Sequence, residues 1–198
     1  MMAAAAAADN GGNVTLLEKM PRVGRKMMIT GKGRCNVTSA DDVPEIIKNV
    51  VGNGRFLNSC IRAFDNSDVI NFFEKLGVPL KTERGNRVFP QSDHAVDVVD
   101  AMLHHLRDCG AEVRTNTAVR KLILEDGSVH GVCLSDGSCL AADAVILATG
   151  GASYPATGST GDGYALARAA GHTVTPIFPA LVPLVTREAW VNDVQGLS

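Results

Sequence analysis

The sequence lacks both a long hydrophobic run and an excess of charge of one sign. Its 198 residues include 19 Lys or Arg and 21 Asp or Glu, which gives a formal net charge of −2 at pH 7. The longest apolar run is far shorter than the roughly 20 residues that span a bilayer. Charges of both signs are mixed along the chain, which argues against a surface dedicated to nucleic acid or anionic membrane. We therefore expect a soluble protein with neither partner.

Cysteine is also scarce, and its spacing is irregular. The five cysteines include no CxxC pair, and five is an odd number. This pattern favours reduced thiols and a cytoplasmic location over a disulfide framework. The five histidines form no recognised ligand motif with cysteines or carboxylates, so we predict no metal site. The cysteines are Cys35, Cys60, Cys109, Cys133 and Cys139.

The order of predicted elements is that of an α/β protein. Residues 3–8 are all alanine and predict a helix, because Ala has the strongest helix propensity and no basic segment precedes it as in an export signal. A short strand is predicted at 13–18, and a second at 111–115. Residues 144–147 are wholly apolar, which is typical of a buried strand in a parallel sheet.

Amphipathic helices and a β-meander complete the prediction. Ser67 is expected to cap a helix that reaches Leu76, and a second helix is expected from His94 to Cys109, with Val96, Val99, Leu103 and Leu106 on its apolar stripe. Asp-Gly turns at 126–127 and 136–137 separate three β-type runs within 119–141. These runs predict a three-stranded antiparallel meander.

Two features carry candidate binding chemistry. Glu18 ends the first predicted strand, where a carboxylate can accept hydrogen bonds from the hydroxyls of a nucleotide ribose. Residues 24–36 combine glycines with four cations, so the backbone can approach a ligand closely and the charges can compensate a pyrophosphate. Cys35 lies within this cationic loop, where a thiolate would be favoured. A surface glutamate, a solvated basic loop and a packed cysteine are the plain alternatives.

Several segments together resemble one family, the bacterial NAD(P)/FAD-dependent oxidoreductases, often called aminoacetone oxidase-like flavoproteins. The resemblance covers nearly the whole chain, and the blocks at 24–36 and 157–163 are its most specific parts. The start of the second block also resembles that of fumarate reductase-type flavoproteins. The segments are NVTLLEK (13–19), GRKMMITGKGRCNVT (24–38), RVFP (87–90), ATGG (148–151), SYP (153–155), TGSTGDG (157–163) and GLS (196–198).

The resemblance implies a two-dinucleotide-binding, Rossmann-like FAD fold. It has a parallel sheet, flanking helices and the meander, within an FAD-binding domain at 1–174 that is followed at 175–198 by the start of a substrate-side domain. Glu18 would bind the adenosine ribose, the Val119 backbone would bind adenine, and residues 33–36 would lie toward the flavin half. The implied cofactor-binding residues are Glu18, Arg25, Lys26, Gly33, Arg34, Cys35, Asn36, Val119, Thr149, Gly150, Gly161 and Asp162.

The chain also departs from the family pattern. Family members begin with a strand and a GxGxxG loop ahead of the first helix, whereas this sequence begins within that helix, so we expect a fragment that binds FAD weakly. The expected activity is flavin-mediated hydride transfer on a small-molecule substrate, with NAD(P)H or oxygen as the second reactant. No residue is identified as a catalytic acid or base. A single-site NAD(P)-dependent reductase and a non-catalytic remnant stay open as alternatives.

Overall fold

The computed structural model describes residues 1–178 and 187–194. Helices and short strands alternate in the first two thirds of the described chain. The helices are α1 (Met2–Asp9), α2 (Arg25–Ile29), α3 (Val43–Lys48), α4 (Asn58–Ala63), α5 (Asn66–Lys75), α6 (Ala95–Asp108) and α7 (Asp162–Ala169). The strands are β1 (Thr15–Leu17), β2 (Thr38–Ser39), β3 (Leu80–Glu83), β4 (Arg87–Pro90), β5 (Glu112–Arg114), β6 (Val119–Glu125), β7 (Ser128–Leu134) and β8 (Cys139–Ala141).

The first sheet is a parallel pair of β1 and β5. Leu16 lies opposite Val113 in its register. A parallel pair requires a crossover connection, and here α6 leads directly into β5. Both strands lie within their predicted ranges, and α1 forms from the alanine run as expected.

Two antiparallel sheets complete the strand topology. In one, β4 lies between β2 and β3; in the other, β7 lies between β6 and β8. The second sheet is the predicted meander, with β6 and β7 joined through Asp126 and Gly127, which both have positive φ. The meander prediction is therefore confirmed, and Val119 begins its first strand.

The hydrophobic core lies around α6. Its buried residues recur at helical spacing, because positions three and four apart share one face. The predicted stripe was only half right, since Val96 and Leu103 are half-buried while Val98 and Met102 fill the core. The buried residues of α6 are Ala95, Val98, Val99, Met102 and Leu106.

The helix predicted to begin at Ser67 begins slightly earlier. Asp65 is its N-cap, and its carboxylate accepts hydrogen bonds from the backbone N–H groups of Ser67 and Asp68. The Asp68 carboxylate accepts in turn from the Asp65 N–H, which forms a capping box. Aspartate at Asp65 satisfies two of the orphan donors at this terminus, so it replaces Ser67 as the cap.

The strand predicted at 144–147 is wrong. These residues have no strand assignment, and the side chains of Ile146 and Leu147 are 63% and 40% exposed. A strand is stabilised by its ladder of hydrogen bonds to a neighbour, and no described strand pairs with this segment. Residues 144–147 therefore do not join the parallel sheet of β1 and β5, whose carboxyl edge holds Glu18.

The cysteines differ from the all-thiol expectation. Cys133 and Cys139 lie directly opposite each other on β7 and β8 and form a disulfide. Cys35, Cys60 and Cys109 are free thiols. The register of the β7–β8 hairpin places the two cysteines opposite each other. Their spacing in the sequence does not show that register.

The segment predicted to begin a second domain is described in part. Residues 175–178 have no regular structure, and Ala189–Asn192 form one 3-10 helix. The segment GLS at 196–198 lies outside the described residues. Within the described parts of the chain, no helix has the length and apolar character required to cross a bilayer. The domain boundary and the cytoplasmic location stay predictions.

Candidate functional site

Glu18 lies at the carboxyl end of β1, the edge of a parallel sheet where ligands gather. Its backbone N–H donates to the Arg114 carbonyl (2.9 Å), and its carbonyl accepts from the Thr117 N–H (2.9 Å). The carboxylate is oriented by the Met20 N–H, which donates to Oε1 at 2.8 Å. The side chain is half-buried. Glu18 is thus fixed on both its main chain and its side chain.

The N-terminus of α1 faces the same edge. Burial lowers the pKa of the Met1 amino group below its usual value, and the nearby Glu18 carboxylate opposes that shift. The first turn of a helix leaves backbone N–H groups without helical partners, and these favour a negatively charged ligand. A carboxylate for hydroxyl groups and a helix N-terminus for an anion therefore lie side by side.

The start of the basic loop packs against α6. Gly24 has φ +74°, and a Cβ there would lie 2.7 Å from a Val99 methyl group. Only glycine fits this turn, after which Arg25 and Lys26 begin α2. The Lys26 ammonium lies 4.2 Å from the centre of the Tyr154 ring. This cation–π contact joins the basic loop to the loop that precedes α7.

The second half of the basic loop contacts acidic residues that follow it in the chain. The Arg34 guanidinium donates to Glu83 (2.9 Å) and Asp93 (3.3 Å) and lies 4.0 Å from the centre of the Phe89 ring. A hydrogen bond from Lys81 and a weaker effect of the hydrogen bond from Arg34 hold the pKa of the Asp93 carboxyl below its usual range. The guanidinium is therefore already paired with carboxylates.

Gly33, Cys35 and Asn36 surround this arginine. Gly33 is exposed and has φ +90°, and a Cβ there would lie 3.9 Å from the Met28 carbonyl oxygen, an ordinary van der Waals contact. Burial raises the pKa of the Cys35 thiol, which is the opposite of the thiolate that its cationic neighbours favour in the sequence. The Asn36 amide, oriented as a donor, bonds the carbonyls of Thr38 (3.1 Å) and Val88 (3.3 Å). Cys35 and Asn36 thus have structural contacts, while Gly33 is exposed.

Lys19, the residue after Glu18, is joined to the start of α7 by an ion pair and hydrogen bonds with Asp162 and Thr160. We call these three residues the Lys19 clasp. The Lys19 ammonium donates to Asp162 Oδ2 (2.6 Å) and also to the Thr160 hydroxyl, which itself donates to Asp162 Oδ1 (2.6 Å). Hydrogen bonds from Lys19 and then Thr160 lower the pKa of Asp162. Asp162 is held as a carboxylate at the first residue of α7, where negative charge is favoured.

Two glycines make this close approach of loops possible. Gly158 has φ +98°, and a Cβ there would lie 2.8 Å from Met20 Cγ. Gly161 has φ +84°, caps α7, and donates its N–H to the Gly151 carbonyl (3.1 Å). The loop at 158–162 therefore packs directly on the residues that follow Glu18.

Thr149 and Gly150 lie beside the first turn of α7. They line a cleft of about 190 Å³ together with Leu147, Gly163, Tyr164 and Ala167. A Cβ at Gly163 would lie 2.2 Å from Thr149 Oγ1, so this turn of the helix sits directly against the threonine. Both residues are exposed toward the cleft.

A second cleft, of about 560 Å³, lies where β5 leads into the meander. It is lined by residues of the β7–β8 hairpin and by Arg114, Asn116, Thr117 and Ala118. Val119 follows directly, and Thr117, two residues before it, bonds Glu18. The start of the meander therefore lies next to the candidate ribose carboxylate.

The structure brings most of the predicted residues to one region. Glu18, Lys26, Val119 and the segments at 149–150 and 161–162 are joined by these contacts. The contacts of Arg34, Cys35 and Asn36 are with other residues. Sequence reasoning missed Lys19 and Tyr154. Lys19 was visible only as part of the NVTLLEK segment, and nothing in the sequence paired Tyr154 with Lys26.

This region suits a dinucleotide such as FAD. A half-buried carboxylate can bind ribose, and the α1 N-terminus with Arg25 and Lys26 supplies positive charge for a pyrophosphate. The residues present therefore fit the cofactor.

Comparison with known proteins supports this fit. The chain is 36% identical over 193 residues to a 3-dehydro-bile acid delta(4,6)-reductase from Clostridium scindens, covering 93% of this chain and 44% of the relative. It is 27% identical over 202 residues to a ribosomal RNA dihydrouridine synthase from Haemophilus influenzae, covering 100% of this chain and 50% of the relative. The chain thus spans about half the length of the curated relatives it matches.

Solved structures share the fold. A flavocytochrome c3 fumarate reductase matches with a TM-score of 0.58 and 23% identity, over 84% of this chain and 38% of that one. The Sdh1 complex of Mycobacterium smegmatis matches with a TM-score of 0.59 and 20% identity, over 84% and 36%. These likenesses confirm the Rossmann-like α/β fold class. Residues 1–186 match the model of the HI0933-like protein Rossmann domain, and the chain therefore belongs to this family of flavoproteins, as its sequence resemblance indicated.

Proposed function

We propose that the chain is the FAD-binding domain of a flavin-dependent oxidoreductase that acts on a small molecule. The observation that carries the proposal is the placement of the Glu18 carboxylate, fixed at the carboxyl end of β1 between the α1 N-terminus and the start of the meander. When bound, FAD supplies hydride transfer, and the protein supplies position and electrostatics.

We call the candidate cofactor site around Glu18 the Glu18 crevice. Each group that lines it has a separate role in this proposal. Glu18 accepts hydrogen bonds from the adenosine ribose, and the Val119 backbone bonds adenine. The α1 N-terminus, Arg25 and Lys26 balance the pyrophosphate charge. Thr149, Gly150, Gly161 and Asp162 form the opposite wall, which the Lys19 clasp holds in place.

The reaction proposed is the reduction of a carbon–carbon double bond. Relatives are named as a 3-dehydro-bile acid delta(4,6)-reductase, a ribosomal RNA dihydrouridine synthase and a probable fumarate reductase. Each name describes such a reduction, on RNA in the second and on a small molecule in the other two. NAD(P)H is the proposed electron donor. The substrate-binding residues are not among the groups assigned above.

A flavin titration of the purified chain tests the proposal. Quenching of FAD fluorescence gives the Kd of the wild-type chain and of Glu18→Gln. Glutamine keeps the size but loses the charge, and a hydrogen bond to a charged group is worth about 1.5–3 kcal/mol, so we expect Kd to rise about 10- to 100-fold. Glu125→Gln, at the exposed end of β6, is the matched control and should not change Kd.

The alternatives give different results in the same titration. A single-site NAD(P)-dependent reductase would bind nicotinamide dinucleotide and no flavin. A non-binding remnant would bind neither. Equal Kd values for wild type and Glu18→Gln would refute the assigned role of Glu18.

A further inference from the structure

The last turns of α1 and α6 bring three ligating side chains together. Asp9 is the final residue of α1, His105 lies in the last turn of α6, and Cys109 follows that helix. Their ligating atoms all lie within 4.8 Å of one another, and His105 Nε2 lies 3.0 Å from Asp9 Oδ2. None of the three takes part in the proposed cofactor site.

We propose that Asp9, His105 and Cys109 bind a zinc-class divalent metal ion. Imidazole, thiolate and carboxylate are the three ligand types of protein zinc sites, and the thiolate disfavours Mg²⁺ or Ca²⁺. Zinc bonds of about 2.0–2.3 Å place tetrahedral ligands about 3.2–3.8 Å apart, so the side chains need to close by only about 1 Å. Water completes the fourth position.

Helix geometry supplies two of the ligands from one face. Cys109 follows His105 by four residues, one helical turn, so both side chains project on the same side of α6. The prediction that no histidine shares a ligand motif with a cysteine overlooked this spacing. The third ligand comes from a helix 96 positions away along the chain.

The surroundings favour a cation and hold the ligands in place. Asp9 and Cys109 mark the C-terminal ends of two helices, where the partial negative charge of the helix dipoles attracts positive charge. Phe72 packs edge-on against the His105 ring, with 5.5 Å between ring centres. The His105 side chain is 20% exposed, which leaves a path from solvent.

Binding requires no redox step. The Cys109 thiol, which donates to the Leu106 carbonyl in the structure, loses its proton to solvent as the metal–sulfur bond forms. The ion then joins α1 to α6. The eight residues of α1 span about 12 Å, so the metal lies at the opposite end of the helix from the Glu18 crevice.

Titration with Co²⁺ tests the site. A cobalt–thiolate bond gives a charge-transfer absorption band, so the purified wild-type chain should develop one such band that saturates at one ion per chain. The band should be lost in Cys109→Ser and kept in Cys60→Ser, which removes an exposed thiol elsewhere. In Zn²⁺ competition, His105→Gln should weaken Zn²⁺ affinity by more than about 100-fold, beyond the roughly 10- to 100-fold loss typical of removing a supporting contact. His104→Gln should leave the affinity unchanged.

A measurement on the wild-type chain alone guards against a variant that does not fold. Zn²⁺ at saturation should slow alkylation of Cys109 by iodoacetamide more than about tenfold, because only the metal-free fraction reacts. Alkylation of Cys60, followed by mass spectrometry in the same sample, should not change. No thiolate band, a band that survives in Cys109→Ser, or equal alkylation of Cys109 with and without Zn²⁺ would each overturn the proposal and leave an ordinary hydrogen bond between His105 and Asp9.

Discussion

The Lys19 ammonium lies 2.6 Å from the Asp162 carboxylate, although 143 positions separate the two residues in the chain. Their side chains are 25% and 46% exposed, so solvent screens part of the attraction. The pair matters more for geometry than for stability. It fixes the residue after Glu18 against the first turn of α7, which makes two walls of the candidate crevice one unit.

Asp162→Asn tests the strength of this clasp. We expect a loss of about 0.3–1 kcal/mol in the free energy of unfolding at pH 7, the range for partly exposed ion pairs. The folded-state pKa of Asp162 is lowered from the usual 3.8. The contribution of Asp162 to the free energy of unfolding is therefore complete above about pH 5. It is lost as the pH falls through the lowered folded-state pKa.

Urea unfolding of wild type and Asp162→Asn at a series of pH values measures this difference. Asp143→Asn, an exposed carboxylate in the segment before Ala144, is the control and should leave stability unchanged. A difference in the free energy of unfolding between wild type and Asp162→Asn that grew as the pH fell would contradict the expected direction of this pH dependence.

Two glycines of the meander should respond differently to alanine. Gly131 has φ +141°, and a Cβ there would lie 2.1 Å from the Leu140 carbonyl oxygen of β8. Gly127 has φ +76° but open space around it. We expect Gly127→Ala to cost about 1 kcal/mol for the left-handed backbone. Gly131→Ala adds to its own backbone strain a steric cost of about 1–3 kcal/mol.

Guanidinium unfolding monitored by circular dichroism compares these two variants. Gly131→Ala should lose more stability than Gly127→Ala, because it combines backbone strain with the contact against β8. Equal losses would mean that β8 moves away from β7 at little cost.

The parts of the fold set by local sequence were predictable. The meander followed from Asp-Gly turns and flanking β-branched residues, and the position of Glu18 followed from a short strand with a polar end. The segment at 144–147 was not predictable from its own composition. An apolar run becomes a strand only when another strand is placed beside it, and composition does not report that neighbour.

Contacts set by the topology of the fold account for features that the sequence did not reveal. Four cations in one loop suggested a shared ligand, yet Arg34 is paired with Glu83 and Asp93, about fifty positions or more away. The disulfide between Cys133 and Cys139 depends on the β7–β8 register. Contacts of these kinds follow from topology, which residue spacing does not reveal.

Leu106 and Leu103 test the corrected helix stripe. Leu106 is 0% exposed in the core, whereas Leu103 is half-buried on the same helix. Leu106→Ala should lower the free energy of unfolding by about 2–5 kcal/mol, through lost burial and the cavity left behind. Leu103→Ala should cost clearly less. Urea unfolding of the two variants checks this order. A loss for Leu103→Ala as large as that for Leu106→Ala would restore the sequence-based stripe, which placed both residues on the apolar face.

Two cations of the basic loop should differ in their effect on flavin affinity. Lys26 contacts the Tyr154 ring on the crevice side, while the Arg34 guanidinium is bound to two carboxylates and stacked on Phe89. If Lys26 balances pyrophosphate charge, Lys26→Gln should raise the Kd for FAD about 3- to 10-fold, the effect of about 0.7–1.4 kcal/mol. Arg34→Gln should change Kd by less than about twofold among correctly folded protein, because its charge is already neutralised. The same titrations at high salt should weaken wild-type binding and narrow its difference from Lys26→Gln, since exposed charges are screened. Should Arg34→Gln prove the more damaging variant at equal folded content, the guanidinium must exchange its carboxylate partners for the cofactor, and the cofactor-binding role implied for Arg34 by the family resemblance would be supported.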